Sequence, residues 1–532
     1  MRETVMNEPV MTQHGSRRWW ALGAVSLAVL AVGLDGTVLS VATPTLAGAL
    51  DASESDLQWF SSAYFLVLAA AMLPAGLLGD RYGHKKVLLA SLALFGLGSA
   101  ASAYSTSVAA FLAARVTLGL AGAGVIVMAL SALTVLFDKE ERPRAVGVWA
   151  AANFVALPLG PILGGWLLTH FWWGWVFLLN VPVVVAGLAA VAALVPESRA
   201  AERPGLDPVG VIASSVGLVA VTYGLIQAGR DGWTSPGALL LMASGVVVLV
   251  AFFGWERRLS RRPGGQPLLD LTLFESASFT WGVILAAVAV LAMIGGLFTM
   301  PQFFQGVLGT DAMGSGLRLL PLIGGLVVGA LPADRVVALV GAKVTAAIGF
   351  ALLATGFAVG ATTSVTSGWV FVAGWMAVVG LGMGLSMATA SSAALAELSP
   401  ERSGVGSAVL QAVNKVGGPF GTAILGSVLT AGYLSRLDLT GVPEPAVTVV
   451  RQSVFGGVAV AQRAGSASLL DSVRAAFVHG MDTSLLVSAG VAVTGVLLAL
   501  LFLPRGPDRA RNGPDHATTQ TAGTRKPRVE TK

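Results

Sequence analysis

Apolar blocks of about twenty residues, separated by short polar breaks, recur from residue 19 to residue 504, and this block length constrains the fold more than any other feature. About twenty residues of helix cross a hydrocarbon core, and inside that core every backbone N–H and C=O must be bonded internally. The blocks predict spans at 19–42, 57–79, 87–105, 108–136, 146–168, 175–195, 207–228, 237–255, 277–300, 314–333, 344–363, 368–391, 405–430 and 483–504, fourteen in all. Only 11% of the residues are charged, against roughly a quarter in soluble domains, so water is not the main solvent of this chain. The fold class predicted is therefore all-α integral membrane.

The charges orient the spans. With the N-terminus inside, 25 of the 33 Lys and Arg lie on inner segments. Arg230, Arg318, Arg436, Arg451, Arg463 and Arg474 fall outside or at the outer edge, which places both termini in the cytoplasm. Ser16-Arg17-Arg18-Trp19-Trp20 reads as a positive inner flank rather than a twin-arginine export signal, because its apolar run is span-length and more spans follow. Tryptophans such as Trp59, Trp166, Trp233 and Trp369 lie near span ends, where an amphipathic ring suits the headgroup zone. The chain lacks cysteine, which excludes disulfides, thiolate chemistry and cysteine-bound metals. Arginine outnumbers lysine and Ala, Gly and Val abound, a usage that fits a GC-rich bacterial genome.

Rare residues recur at a constant offset. Pro74 matches Pro332, Gly83 and Lys85 match Gly341 and Lys343, Arg144 matches Arg402, and Gly160-Pro161 matches Gly418-Pro419. The offset maps the second span onto the tenth and the fifth onto the thirteenth, as in a transporter built of repeats. The plan predicted is an inner segment 1–18, a six-helix bundle 19–195, two inserted helices within 196–265, a second six-helix bundle 266–504 with a long outer loop 431–482, and a basic tail 505–532.

The loop after the second span reads Gly76-Leu77-Leu78-Gly79-Asp80-Arg81-Tyr82-Gly83-His84-Lys85-Lys86. Its glycines permit a tight turn, Asp80 can pair with a facing base, and Lys85 and Lys86 hold it inside. This pattern resembles the signature loop of the major facilitator superfamily, which implies a fold of two pseudo-symmetric bundles and a cytoplasmic gate latch formed by Gly76, Gly79, Asp80, Arg81, Gly83, Lys85 and Lys86. His84 stands where that family more often has Arg. The fifth span carries Pro158-Leu159-Gly160-Pro161-Ile162-Leu163-Gly164-Gly165. Physically this run is a kinked, flat face for close helix packing. It also resembles the Gly-Pro-x-x-Gly-Gly hallmark of the superfamily's antiporters, so Pro158, Gly160, Pro161, Gly164 and Gly165 imply export. The runs Leu34-Asp35-Gly36-Thr37, Trp175 to Pro182 and Pro267 to Leu271 resemble the fourteen-span drug:proton antiporter branch, which includes exporters of quaternary ammonium compounds and other antiseptics and antibiotics.

Asp35 alone among the 28 acidic residues lies well inside a span. A carboxylate there costs about 2.5–3.5 kcal/mol on insertion scales, so such residues usually face a cavity and act. It can exchange protons, and when ionised it can attract a cation. Arg115, in a run resembling the superfamily's fourth-span arginine motif, lies at a similar depth, roughly 10–12 Å from the outer end at 1.5 Å per residue, so the two can meet. Lys415, beside Asn414, lies roughly 15 Å from the inner end of its span, too deep for easy snorkelling. Met376, Met383 and Met387 form one helical stripe, which core packing explains better than a pocket does, although thioethers adapt to varied ligands. Tyr64, Asn153, Phe154, Met383, Met387, Asn414 and Lys415 are the pocket candidates.

The function expected is a proton-coupled antiporter that exports small amphipathic drugs or antibiotics across the cytoplasmic membrane by alternating access. Its partners are the cargo, protons and the bilayer. It has no nucleic-acid partner, needs no cofactor beyond the proton gradient, and works as a monomer. A proton-coupled importer of the same fold and a non-transporting sensor are the alternatives. No nucleophile motif, phosphate loop or metal-ligand cluster suggests an enzyme.

Overall fold

The structure is a computed structural model that describes residues 15–137, 141–198, 207–262, 269, 271–396 and 400–504. The helices in the first part of the chain are α1 (Gly15–Ala49), α2 (Glu54–Tyr82), α3 (His84–Ala103), α4 (Val108–Leu136), α5 (Arg142–His170), α6 (Trp175–Leu178) and α7 (Asn180–Leu194). A hairpin of α8 (Pro208–Asp231) and α9 (Pro236–Ser260) comes next. Then follow α10 (Ala277–Gln302), α11 (Ala312–Arg318), α12 (Leu320–Ala330), α13 (Ala333–Val340), α14 (Ala342–Gly360), α15 (Trp369–Ala396), α16 (Pro400–Arg436), α17 (Glu444–Gln452), α18 (Val454–Ala464) and α19 (Ala467–Phe502). No strand occurs among the described residues. Eleven helical stretches there are long and apolar enough to cross a membrane. α2, α5 and α16, with 29, 29 and 37 residues, occupy the expected second, fifth and thirteenth spans.

Local chemistry starts these helices where the sequence supplies caps. Ser53 accepts from the Asp56 N–H while the Asp56 carboxylate accepts from the Ser53 N–H, a capping box that opens α2. Ser107, Asp207, Ser276, Asp311, Ser453 and Ser466 cap α4, α8, α10, α11, α18 and α19 in the same sense. At the turn between α2 and α3, Gly83 adopts φ 109°, and at the turn between α13 and α14 its repeat counterpart Gly341 adopts φ 83°. Side chains rarely tolerate this region, so the 258-residue offset recurs in backbone conformation.

Small residues bring the helices together. The helices α1 to α7 pack on one another, as do α10 to α19, and α8 pairs with α9 and packs against α2 and α16. A Cβ on Gly217, Gly224 or Gly245 would collide with the facing helix of that pair. Ser427 Oγ donates to the Leu225 carbonyl at 2.6 Å, which fastens α16 to α8. On the outer surface of the pair, Ile212, Val216, Leu240, Val247 and Val250 are exposed, a composition suited to lipid rather than water.

The segment 431–482, expected as a long outer loop with room for a surface helix, is mostly helical. α16 continues to Arg436, α17 and α18 fill the middle, and α19 begins at Ala467, sixteen residues before the expected span start. Asp471, Arg474, His479 and Asp482 lower the hydropathy of this stretch without breaking its helical pattern, because α19 buries Leu469, Val473, Phe477 and Met481 against its neighbours.

Candidate functional site

Asp35, on α1, is completely buried and bound by two side chains. Arg115 Nη1, from α4, donates to its Oδ2 at 2.7 Å. Asn180 Nδ2, at the start of α7, lies 3.4 Å from its Oδ1 and 3.2 Å from Ser99 Oγ of α3. Arg115 is itself held twice more: its Nε donates to the Phe60 carbonyl at 3.0 Å, and its guanidinium lies 4.4 Å from the centroid of the Tyr64 ring. Tyr64 in turn donates to the Val32 carbonyl at 3.2 Å. One carboxylate thus ties together α1, α2, α3, α4 and α7. A charged pair so deep survives because each charge is both paired and hydrogen-bonded.

Beside this cage, a cavity of about 410 Å³ lies between the two sets of helices. From α1 and α2 it is lined by Gly36, Thr37, Ser40, Thr43, Tyr64 and Phe65; from α10, α12, α15 and α16 by residues that include Met293, Phe298, Leu326, Met387, Asn414 and Lys415. Its volume is that of a drug-sized ligand site, and its mostly apolar wall with a few polar groups is the usual composition of one. Asp35 and Arg115 are not among its lining residues. α1 and the Tyr64 ring stand between the two sites, with the carboxylate turned away from the cavity that Thr37, Ser40 and Thr43 line.

At one end of the cavity the two helix sets are joined. Gln302 Nε2 donates to the buried Glu54 at 3.0 Å, Gln305 Nε2 donates to the Val41 carbonyl at 3.2 Å, and Gln58 Nε2 donates to Thr430 Oγ1 at 3.3 Å. The glycine run of α5 also serves this closure. A Cβ on Gly160 would strike Thr37 Oγ1 and one on Gly164 would strike Val38 of α1, while on Gly165 it would lie 2.7 Å from the Ala312 carbonyl oxygen of α11. Gly316 of α11 likewise sits against the Pro161 carbonyl. The run therefore packs α5 against α1 on one side and against α11 of the other helix set on the other.

The loop of Gly79 to Lys86 lies at the opposite end of α2. Gly79 faces Met128 so closely that a Cβ would overlap its sulfur. His84 N donates to the Ser198 carbonyl at 2.8 Å, Lys85 N donates to Glu197 Oε1 at 3.1 Å, and Lys85 Nζ donates to the Ala192 carbonyl at 2.7 Å. The contacts described for this loop thus run to α4, to the end of α7 and to the segment after it, within its own helix set. Arg81 and Lys86 are exposed and Gly76 is partly buried. We expect Gly83→Val to cost about 1–3 kcal/mol, since it combines a disfavoured backbone region with a clash against Glu197. A lowered thermal unfolding midpoint of the purified protein in detergent is the measurement, and an unchanged midpoint refutes it.

The structure thus brings Asp35 and Arg115 into one cage and gathers Tyr64, Met387, Asn414 and Lys415 at the cavity. Met383 is instead packed in the hydrophobic core with Met376. The side chains of Asp80, Asn153, Phe154 and Pro158 lie outside those described, as do residues 1–14, 263–268 and 505–532. Sequence reasoning gave no site role to Ser99, Phe65 or Gln302, and met Asn180 only within the Trp175 to Pro182 run. Asn180 alone carried a signal, as an amide in an otherwise apolar span.

A polar-flecked cavity between two repeat-related helix sets, sealed at one end, defines a membrane transporter of alternating-access architecture. The chain belongs to the Major Facilitator Superfamily, whose model matches residues 25–422. It is 32% identical over 523 residues to the tetracenomycin C resistance and export protein of Streptomyces glaucescens, covering 95% of this chain and 96% of that one. It is 32% identical to the multidrug efflux pump LfrA of Mycolicibacterium smegmatis, covering 94% and 98%. Among solved structures, a bacterial homolog of the human lysosomal transporter Spinster in an inward-facing, unoccupied conformation superposes with a TM-score of 0.66 at 15% identity, covering 92% of this chain and 97% of that one. The D-xylose–proton symporter superposes with a TM-score of 0.58 at 15% identity, covering 92% and 98%. These two likenesses concern the fold.

Proposed function

We propose that this chain exports small amphipathic drugs or antibiotics across a bacterial cytoplasmic membrane in exchange for protons, as a monomer with both termini in the cytoplasm and no cofactor. The observation that carries the reading is the fully buried Asp35–Arg115 pair set directly behind the cargo cavity. The names of the relatives, which concern resistance and export, support the direction, as does the glycine run of α5. The excess of Lys and Arg on the segments level with Lys85 and Lys86 supports reading the end sealed by Glu54 and Gln302 as the outer one.

The geometry suggests how proton and cargo are coupled. With Asp35 ionised, Arg115 holds α1 against α4 and α7. A proton on Asp35 removes the charge that anchors Arg115 and Asn180, so α1 is released from them. Because Thr37 and Ser40 on the other face of α1 line the cavity, a shift of α1 reshapes the cargo site. Proton and cargo then compete through the position of one helix rather than for one carboxylate, and each biases the same two-state element.

The test is dye or antibiotic efflux from preloaded intact cells producing the protein, with and without a protonophore, beside Asp35→Asn. Efflux is expected to stop with the protonophore and to fall at least about tenfold in the variant, the loss expected when an interaction of 1.4 kcal/mol or more is removed. Gradient-independent efflux that survives both treatments refutes proton coupling through Asp35.

A further inference from the structure

We infer that the cargo this cavity selects is an amphipathic aromatic compound carrying an acidic, anionic group, and that Lys415 is the residue that selects it. The inference rests on the transport reading above and deepens it. Among the described lining residues Lys415 is the one charged group, and no carboxylate lines the wall with it. The acid closest in kind, Asp35, is behind α1 and fully engaged by Arg115. Lys415, partly exposed towards the cavity, makes no ion pair with any described residue; its Nζ lies 5.8 Å from the Phe65 ring centroid, a weak contact that leaves its charge without a counter-charge.

The surroundings specify the rest of the ligand. Gln411, Asn414, Lys415 and Gly418 fall at i, i+3, i+4 and i+7, so one stripe of α16 faces the cavity. Asn414 is buried to 93%, being 7% exposed, and its Oδ1 has no hydrogen-bond partner. A buried amide oxygen left unpaired is costly, and a hydroxyl on the cargo supplies the donor it lacks. The Phe65 side chain lies over Gly418, its nearest ring carbon 3.6 Å from where a Cβ would stand. Phe65, Met293, Phe298 and Met387 then provide a surface for a fused or extended aromatic body. A cationic cargo meets the opposite situation: it enters a low-dielectric site whose one formal charge repels it.

The experiment compares binding to purified full-length protein in lipid nanodiscs, with empty discs as background. The probes are 1-anilinonaphthalene-8-sulfonate and N-phenyl-1-naphthylamine, which share an aromatic body and differ in the sulfonate, together with cationic ethidium. The wild type is expected to bind the sulfonate probe more tightly than ethidium. Lys415→Gln should weaken sulfonate binding at least about tenfold, the worth of one charge-assisted contact, and leave the uncharged probe within about twofold. Lys415→Arg should keep sulfonate binding within about threefold.

Unchanged binding of the uncharged probe shows that the variant site is intact. Wild-type preference for ethidium over the sulfonate overturns the inference whatever the variants do, as does sulfonate binding that is unaffected in Lys415→Gln. Because binding needs no gradient, a protein that binds the sulfonate selectively but moves nothing supports this inference while removing the transport reading.

Discussion

Arg115→Ala is expected to be the most damaging single substitution in the cage, destabilising the protein by about 3–5 kcal/mol, the cost of leaving one partner of a buried pair alone. Asp35 keeps only the long contact from Asn180 in this variant. Its carboxyl then either stays ionised without a counter-charge or binds a proton, and either way α1 loses its anchor to α4. Asp35→Asn should be milder, because Arg115 retains the Phe60 carbonyl and the Tyr64 ring. The double variant should therefore be more stable than Arg115→Ala by itself, with a coupling of about 0.5–3 kcal/mol in a double-mutant cycle. Thermal unfolding in detergent measures the cycle. Additive losses contradict the pair's mutual dependence, and wild-type efflux with wild-type pH dependence in Arg115→Ala removes Arg115 from the coupling mechanism.

How much of this cage is legible in the sequence depends on which physical relation each residue obeys. Asp35 stands out because membrane burial makes a carboxylate rare, and Arg115 because its depth can be counted along a helix of fixed rise. Neither count says which face of α1 the carboxylate occupies. Each step along a helix turns the side chain by about 100°, so Gly36 and Thr37 face the cavity while Asp35 turns away from it. Asn180 is 145 positions from Asp35, and its partner is set by the packing of α7 on α1 and α3, which no local pattern encodes. The same limit applies to Gly165. The small-residue spacing announces a flat helix face, but that this face meets both α1 and α11 is a property of the assembled molecule. Hydropathy misjudged the start of α19 for a different reason: charged residues at 471, 474 and 482 depress the average, whereas helix formation there follows the apolar spacing of Leu469, Val473 and Phe477.

Gly165→Ala is expected to unseal the outer end of the cavity. The added Cβ would lie 2.7 Å from the Ala312 carbonyl oxygen and 2.8 Å from the Met313 Cα, both backbone atoms that no rotamer change can move. α5 and α11 must separate, and overpacking of this kind costs about 1–3 kcal/mol in the state that contains the contact. The contact joins the two helix sets, so the cost is borne by the outward-closed state and is relieved when that end opens. A 1–3 kcal/mol bias shifts a two-state equilibrium by about 5–150-fold. The absence of cysteine from the natural chain makes this shift directly measurable. A single Ser40→Cys places one thiol on the cavity wall, where a membrane-impermeant maleimide added from the outside reaches it only when the outer end is open. The labelling rate should rise at least about fivefold when Gly165→Ala is added, and an introduced cysteine at the exposed Thr366 should label at the same rate in both backgrounds. An unchanged rate at Ser40→Cys means that the α5–α11 contact does not hold the outer end shut, and the glycine run then acts only within its own helix set, against Thr37 and Val38 of α1.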